Sequence, residues 1–90
     1  MIDFTIEIYP HCVSEQVDSQ AIILNIETGM YYELNQIGTV IWNEIKAKKI
    51  KKSTLIARLH KKFDRKDLAG DISEFLESML EKQVILRKDI

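Results

Sequence analysis

Cysteine, proline and glycine are scarce in this 90-residue chain, which holds one Cys, one Pro and three Gly. The lone Cys12 can form no internal disulfide and supplies no thiolate zinc cluster, so it reads as a small, partly buried apolar side chain. A single proline, Pro10, excludes a proline-rich linker and marks an early bend or strand edge. No glycine-rich phosphate loop, Cys-x-x-Cys or His-Glu-x-x-His occurs. No apolar run approaches the roughly 18 residues of a membrane span, and the start Met1-Ile2-Asp3-Phe4 carries no basic n-region. A soluble, cytoplasmic protein without membrane attachment is expected.

Catalytic groupings are equally thin. His11 and Cys12 are adjacent, and in extended backbone adjacent side chains point to opposite faces rather than forming a nucleophile and base pair. His60 stands alone among basic residues, and carboxylates three apart such as Asp71 and Glu74 are routine on a helix surface. The chain is expected to be a binding module and not an enzyme, with no cofactor and no metal.

Basic residues are missing from the first half. Residues 1–45 hold seven acids and no Lys or Arg, whereas residues 46–66 hold ten bases, Lys46 to Lys66, against the single acid Asp64. Residues 67–90 return to six acids against three bases, so a net charge of -1 conceals a strong segregation. The basic block fits nucleic acid, an acidic partner protein or a solvated helix face.

What is present is enough hydrophobic residue, 46%, for one domain over residues 1–90 whose single core covers roughly 60% of the unfolded surface. Ile6, Ile8 and Val13 alternate loosely around Pro10. Gln20 to Ile26 is rich in β-branched residues and reads as a central strand. Gly29, able to take positive φ, closes a short loop, and Met30 to Leu34 continues as a second arm with Met30, Tyr32 and Leu34 facing the core and Tyr31 and Glu33 facing away. Asn35 is a good N-cap for a helix whose stripe is Ile37, Val40, Ile41 and Ile45, with Trp42 at its margin. Gly38 in the first turn costs about 1 kcal/mol against Ala, and is read as letting another backbone approach. Ser53 caps a second helix, Thr54 to Phe63, with Leu55, Ile56, Leu59 and Phe63 apolar. A third begins near Asp67, with Leu68, Ile72, Phe75, Leu76, Met79 and Leu80 inward and Asp71, Glu74, Ser78 and Lys82 on the remaining surface. Val84 to Leu86 reads as a terminal strand or packing tail. Three strands followed by three helices place the fold in the α+β class.

A small sheet with two helices meeting at a turn also describes a winged helix-turn-helix. A DNA-binding regulator needs basic side chains on the element entering the groove. The third helix instead carries Asp71, Glu74, Glu77 and Glu81 against Lys82, so nucleic acid is disfavoured. Strand addition asks for less: an open edge with pockets beside it. Met30 to Leu34 has neither lysine nor proline to blunt such an edge, and Phe75 and Met79 offer a second wall. An open edge can also pair with a second copy, which leaves a homodimer open.

The pattern Thr28-Gly29, Tyr31-Tyr32-Glu33-Leu34-Asn35, Gly38, Ile41-Trp42, Leu55, Leu59, Asp71-Ile72, Phe75-Leu76 and Leu80 resembles the PqqD-like family. That resemblance implies a winged helix-turn-helix of a three-stranded antiparallel sheet followed by three helices. It implies a recognition element for ribosomally made, post-translationally modified peptides, which binds a precursor leader peptide as an added strand and hands it to a processing enzyme. Carried over, the peptide-binding residues would be Met30, Tyr31, Tyr32, Glu33, Leu34, Asp71, Phe75, Ser78 and Met79, with Asn35, Gly38, Ile41 and Trp42 as scaffold. The spacing Tyr31-x-x-Leu34-Asn35-x-x-Gly38 looks most like the free-standing leader-binding proteins (B1 type) of lasso-peptide clusters, whose partners are a leader peptidase and a cyclase. The alternative within the family is a chaperone to a radical S-adenosylmethionine enzyme.

Overall fold

The computed structural model describes residues 3–47, 49–63 and 69–89. Its elements are β1 (Phe4–Ile8), β2 (Cys12–Val17), β3 (Gln20–Asn25), β4 (Met30–Glu33), α1 (Gln36–Ala47), β5 (Ile50–Lys51), α2 (Lys52–Phe63), α3 (Ala69–Glu81) and β6 (Ile85–Asp89). The expected antiparallel sheet followed by three helices is present as β2-β3-β4, α1, α2 and α3, an α+β fold. A second sheet, ordered β5-β1-β6, goes beyond that expectation.

Pro10 accounts for the second sheet. Tyr9 to Cys12 forms a turn closed by the Cys12 N–H to the Tyr9 carbonyl at 3.0 Å, with proline where its fixed φ is favourable. The chain on either side therefore enters different sheets. β1 pairs with β6 from Phe4↔Asp89 to Ile8↔Ile85, so Val84 to Leu86 leads into a genuine strand. β2 and β3 meet through a tight turn in which Asp18 takes φ 57, a conformation Asp tolerates better than most residues. Between β3 and β4, Gly29 takes φ 75, and the Asn25 side-chain oxygen accepts the N–H groups of Glu27 and Thr28 at 3.0 and 3.2 Å.

Helical stripes and the inner sheet faces close on one core, whose fully buried members include Ile6, Ile23, Ile41, Ile45, Leu55, Leu59, Ile72, Leu76, Val84 and Ile85. Trp42 belongs to it as well. The stripe placed it at the margin, yet it is 1% exposed, because Ser14 Oγ accepts its indole N–H at 3.0 Å and satisfies the one polar atom.

Two helix ends are closed by residues that the sequence reading did not name. α2 starts at Lys52, two residues before the expected Thr54, and Ser53 is itself bonded by a residue from far along the chain. Asp3 accepts the Ser53 N–H on Oδ1 at 3.2 Å and the Ser53 hydroxyl on Oδ2 at 2.6 Å, a carboxylate where the helix dipole favours one. α3 ends in a Schellman motif: Val84 N–H bonds the Met79 carbonyl at 3.0 Å and Gln83 N–H the Leu80 carbonyl at 3.1 Å, with Gln83 at φ 59. Gln83 stands where glycine usually signals this stop.

The basic block is partly neutralised within the fold. Arg58 and Lys62 lie 3.6 and 3.4 Å from the Glu44 carboxylate, and Lys49 lies 3.5 Å from Glu7. Lys48, Arg65 and Lys66 of that block, and the expected helix start at Asp67 and Leu68, lie outside the described residues. Among the described residues no helix is long and apolar enough to cross a membrane.

The Asp3 carboxyl is held below its ordinary value, chiefly by the Ser53 hydroxyl. Its contribution is therefore complete above the unfolded pKa and is lost as pH falls through the folded one. Asp3→Asn should melt below wild type at neutral pH, and melts followed by circular dichroism should show the gap closing in acid.

Candidate functional site

β4 is an edge strand of the β2-β3-β4 sheet. Its last inward bond fixes which groups face out. Leu34 N–H donates to the Ala21 carbonyl at 2.9 Å, so antiparallel alternation turns Tyr32 toward its partner Ile23 and turns the backbone of Tyr31 and Glu33 outward. Each of those two residues presents an N–H and a C=O that no other described strand takes up.

The strand passes directly into α1 through Leu34 and Asn35. Asn35 caps the helix: its Oδ1 accepts the Gly38 N–H at 2.7 Å, and its carbonyl accepts the Thr39 N–H at 2.8 Å. Gly38 keeps this turn narrow. A Cβ there would come within 3.2 Å of both Asn35 Oδ1 and Phe75 Cε2. The room is thus made for the Phe75 ring and the capping oxygen, not for another backbone as the sequence suggests.

α3 forms the opposite wall and runs antiparallel to β4. Its C-terminal end lies beside Tyr32, where Lys82 Nζ sits 5.3 Å from the ring centroid, and Phe75 lies beside Gly38. Between the walls is an open groove of about 580 Å³ lined by Tyr31, Tyr32, Glu33, Leu34, Asn35, Ile37, Gly38, Ile41, Asp71, Glu74, Phe75, Ser78, Met79 and Lys82. Its floor is apolar and its rims are polar.

Of the expected contact residues, Tyr31, Tyr32, Glu33, Leu34, Asp71, Phe75, Ser78 and Met79 line this groove, and Met30 does not. Met30 also leaves the core face assigned to it and is 53% exposed. It pairs with Asn25, whose side chain is spent on the turn, so the strand neighbour opposite it is polar. Tyr31 is 68% exposed, as its outward face requires. Met79, expected as part of the second wall, is 3% exposed and forms floor. Ile37, Ile41, Glu74 and Lys82 were not among the expected contacts. Helical spacing carries the signal for each: Ile41 follows Ile37 by one turn, Glu74 follows Asp71, and Lys82 follows Ser78.

Cys12 and His11 are engaged elsewhere. Burial pushes the Cys12 thiol up, the Glu27 carboxylate adds to that, and Cys12 Sγ lies 3.7 Å from the Gln83 carbonyl. His11 Nδ1 lies 3.2 Å from Glu27 Oε2. A raised thiol pKa disfavours the thiolate a nucleophile needs.

The family model described as coenzyme PQQ synthesis protein D (PqqD) matches residues 20–85. The solved structure titled TbiB1 in complex with the TbiA(beta) leader peptide is similar to this chain at a TM-score of 0.80 and 21% identity, covering 88% of this chain and 93% of that one. At that identity the likeness speaks for the fold. No curated protein matches the sequence.

Asn35→Ala should lower stability by about 1 kcal/mol in urea titrations through loss of the cap. Gly38→Ala should stay within about 1 kcal/mol of wild type in the same assay, since the helix propensity gained offsets displacement of Phe75.

Proposed function

The chain belongs to the PqqD family, and from that premise we propose that it is a non-catalytic adaptor that binds the leader segment of a ribosomally made precursor peptide and delivers it to a processing enzyme. The observation that carries this reading is the open edge of β4 facing α3 across a groove. A peptide laid along that edge pairs with the outward groups of Tyr31 and Glu33 and drops alternate side chains onto Leu34, Ile37, Ile41, Phe75 and Met79. The fold shared with a protein solved with a leader peptide supports the same occupant. Tyr31, Tyr32, Glu33, Leu34, Asp71, Phe75, Ser78 and Met79 are the proposed contacts, joined by Ile37, Ile41, Glu74 and Lys82.

About four backbone hydrogen bonds at roughly 1 kcal/mol each and two apolar anchors at roughly 2 kcal/mol each give about 8 kcal/mol gross. Losing translational freedom and ordering the peptide consume much of this, so added charge contacts decide whether binding is tight. The spacing Tyr31-x-x-Leu34-Asn35-x-x-Gly38 favours the lasso-peptide type, with a leader peptidase and a cyclase as partners. A second reading, a radical S-adenosylmethionine enzyme as the partner, follows from the resemblance to proteins of pyrroloquinoline quinone biosynthesis, the synthesis that the family description names.

Tyr31→Pro removes one outward N–H without touching the inward ladder. A labelled leader from the precursor the protein serves should bind this variant about fivefold or more weakly by fluorescence anisotropy, with circular dichroism unchanged. Equal affinity in a folded variant would sink the proposed docking edge.

A further inference from the structure

The α3 wall of the groove is electrically ordered along its length. Asp71, Glu74, Ser78 and Lys82 all line the groove, and their spacing of three or four residues sets them on one helical face. Lys82 continues that face, because its N–H bonds the Ser78 carbonyl at 3.0 Å. Its ammonium is held in place by Ser78 Oγ at 2.8 Å and by the Tyr32 ring at 5.3 Å. On the facing strand Glu33 also lines the groove, one residue beyond Tyr32 in the direction of Asn35. The groove is therefore negative where it meets the α1 cap and positive where it meets Tyr32, with an apolar stretch of Phe75 and Met79 between.

The spacing translates into a peptide pattern. From the midpoint of Asp71 and Glu74 to Lys82 is about 14 Å of helix at about 1.5 Å per residue. An extended strand covers that distance in about four residues. Positions four apart on a strand share a face, as does the position midway between them. We infer that the bound peptide carries a Lys or Arg facing Asp71 and Glu74, a large apolar residue two positions along facing Phe75 and Met79, and an Asp or Glu two positions further facing Lys82. This rests on the leader-binding reading above and adds to it the charge order that fixes which way round the peptide lies. A peptide laid in reverse sets like charges against each other at both ends, which opposes the wrong direction as well as favouring the right one.

The test is selection of displayed random dodecapeptides on the wild-type protein, on Tyr31→Pro, and on a charge-reversed variant carrying Asp71→Lys, Glu74→Lys and Lys82→Glu. Lys82→Glu alone serves as the milder variant, and circular dichroism checks each fold. Wild type should enrich peptides with a base and an acid four apart around an apolar residue, in a single N-to-C order, and the reversed variant should enrich the opposite order. A synthetic selected peptide should bind wild type about tenfold better than its charge-swapped partner at low salt, and the difference should collapse near 1 M salt. Enriched peptides without a charge order, or an order that survives the reversal, would overturn the inference while leaving the docking edge standing. Failure of wild type to enrich any peptide over Tyr31→Pro would overturn strand addition itself and this inference with it.

Discussion

The peptide group of Ala21 holds the groove in register. Its carbonyl accepts the Leu34 N–H at 2.9 Å and its own N–H donates to Thr39 Oγ1 at 2.9 Å, so one buried residue of β3 fixes both the end of β4 and the start of α1. Thr39 is 3% exposed, and a valine of the same shape would leave the Ala21 N–H buried without an acceptor, at about 1–3 kcal/mol. A slip of one residue in β4 would exchange the faces of Tyr31 and Tyr32 and reverse which backbone groups point outward. The open edge is therefore a consequence of this pair of hydrogen bonds as much as of strand order.

The far end of the groove is tied by a second polar residue. Asn25 is fully buried, its oxygen organises the β3–β4 turn, and its Nδ2 donates to the Gln83 carbonyl at 3.4 Å. That carbonyl belongs to the left-handed residue that closes the C-terminal stop of α3. Turn and helix end are thus bound to one another through Asn25, and the walls beside Lys82 and Tyr32 keep a fixed separation. A groove held this way before a ligand arrives spends less of the contact energy on its own ordering.

How much of this is legible in the sequence depends on whether the cause is local. The hairpin, the Asn35 cap and the helical stripes rest on residues a few positions apart, and Gly29, Asn35, Ile41, Leu55 and Leu59 take the places their spacing implies. The α3 wall was legible for the same reason, since helical periodicity puts Asp71, Phe75, Ser78 and Met79 on one side, whereas the β4 wall takes residues from both faces of the strand because the groove runs along its open edge. Long-range pairings were not. Nothing near Ser53 announces that Asp3 will cap α2, and nothing in β1 names β6 as its partner across the whole chain. Trp42 looked marginal because its satisfying acceptor, Ser14, lies on another strand. Met30 looked buried because alternation is blind to a polar residue on the neighbouring strand, and α3 ends at Glu81 with Gln83, not the glycine that would have marked the stop, in the left-handed position.

The pairing of Phe4 with Asp89 has an architectural consequence. The first and last described strands lie side by side in the sheet that does not form the groove, so a polypeptide joined at one end leaves near a polypeptide joined at the other. Domains whose ends sit together can be spliced into a loop of a larger protein, or strung in series, with little strain on either host. The same fold can thus stand by itself or sit within a larger chain, with its groove unchanged in either arrangement.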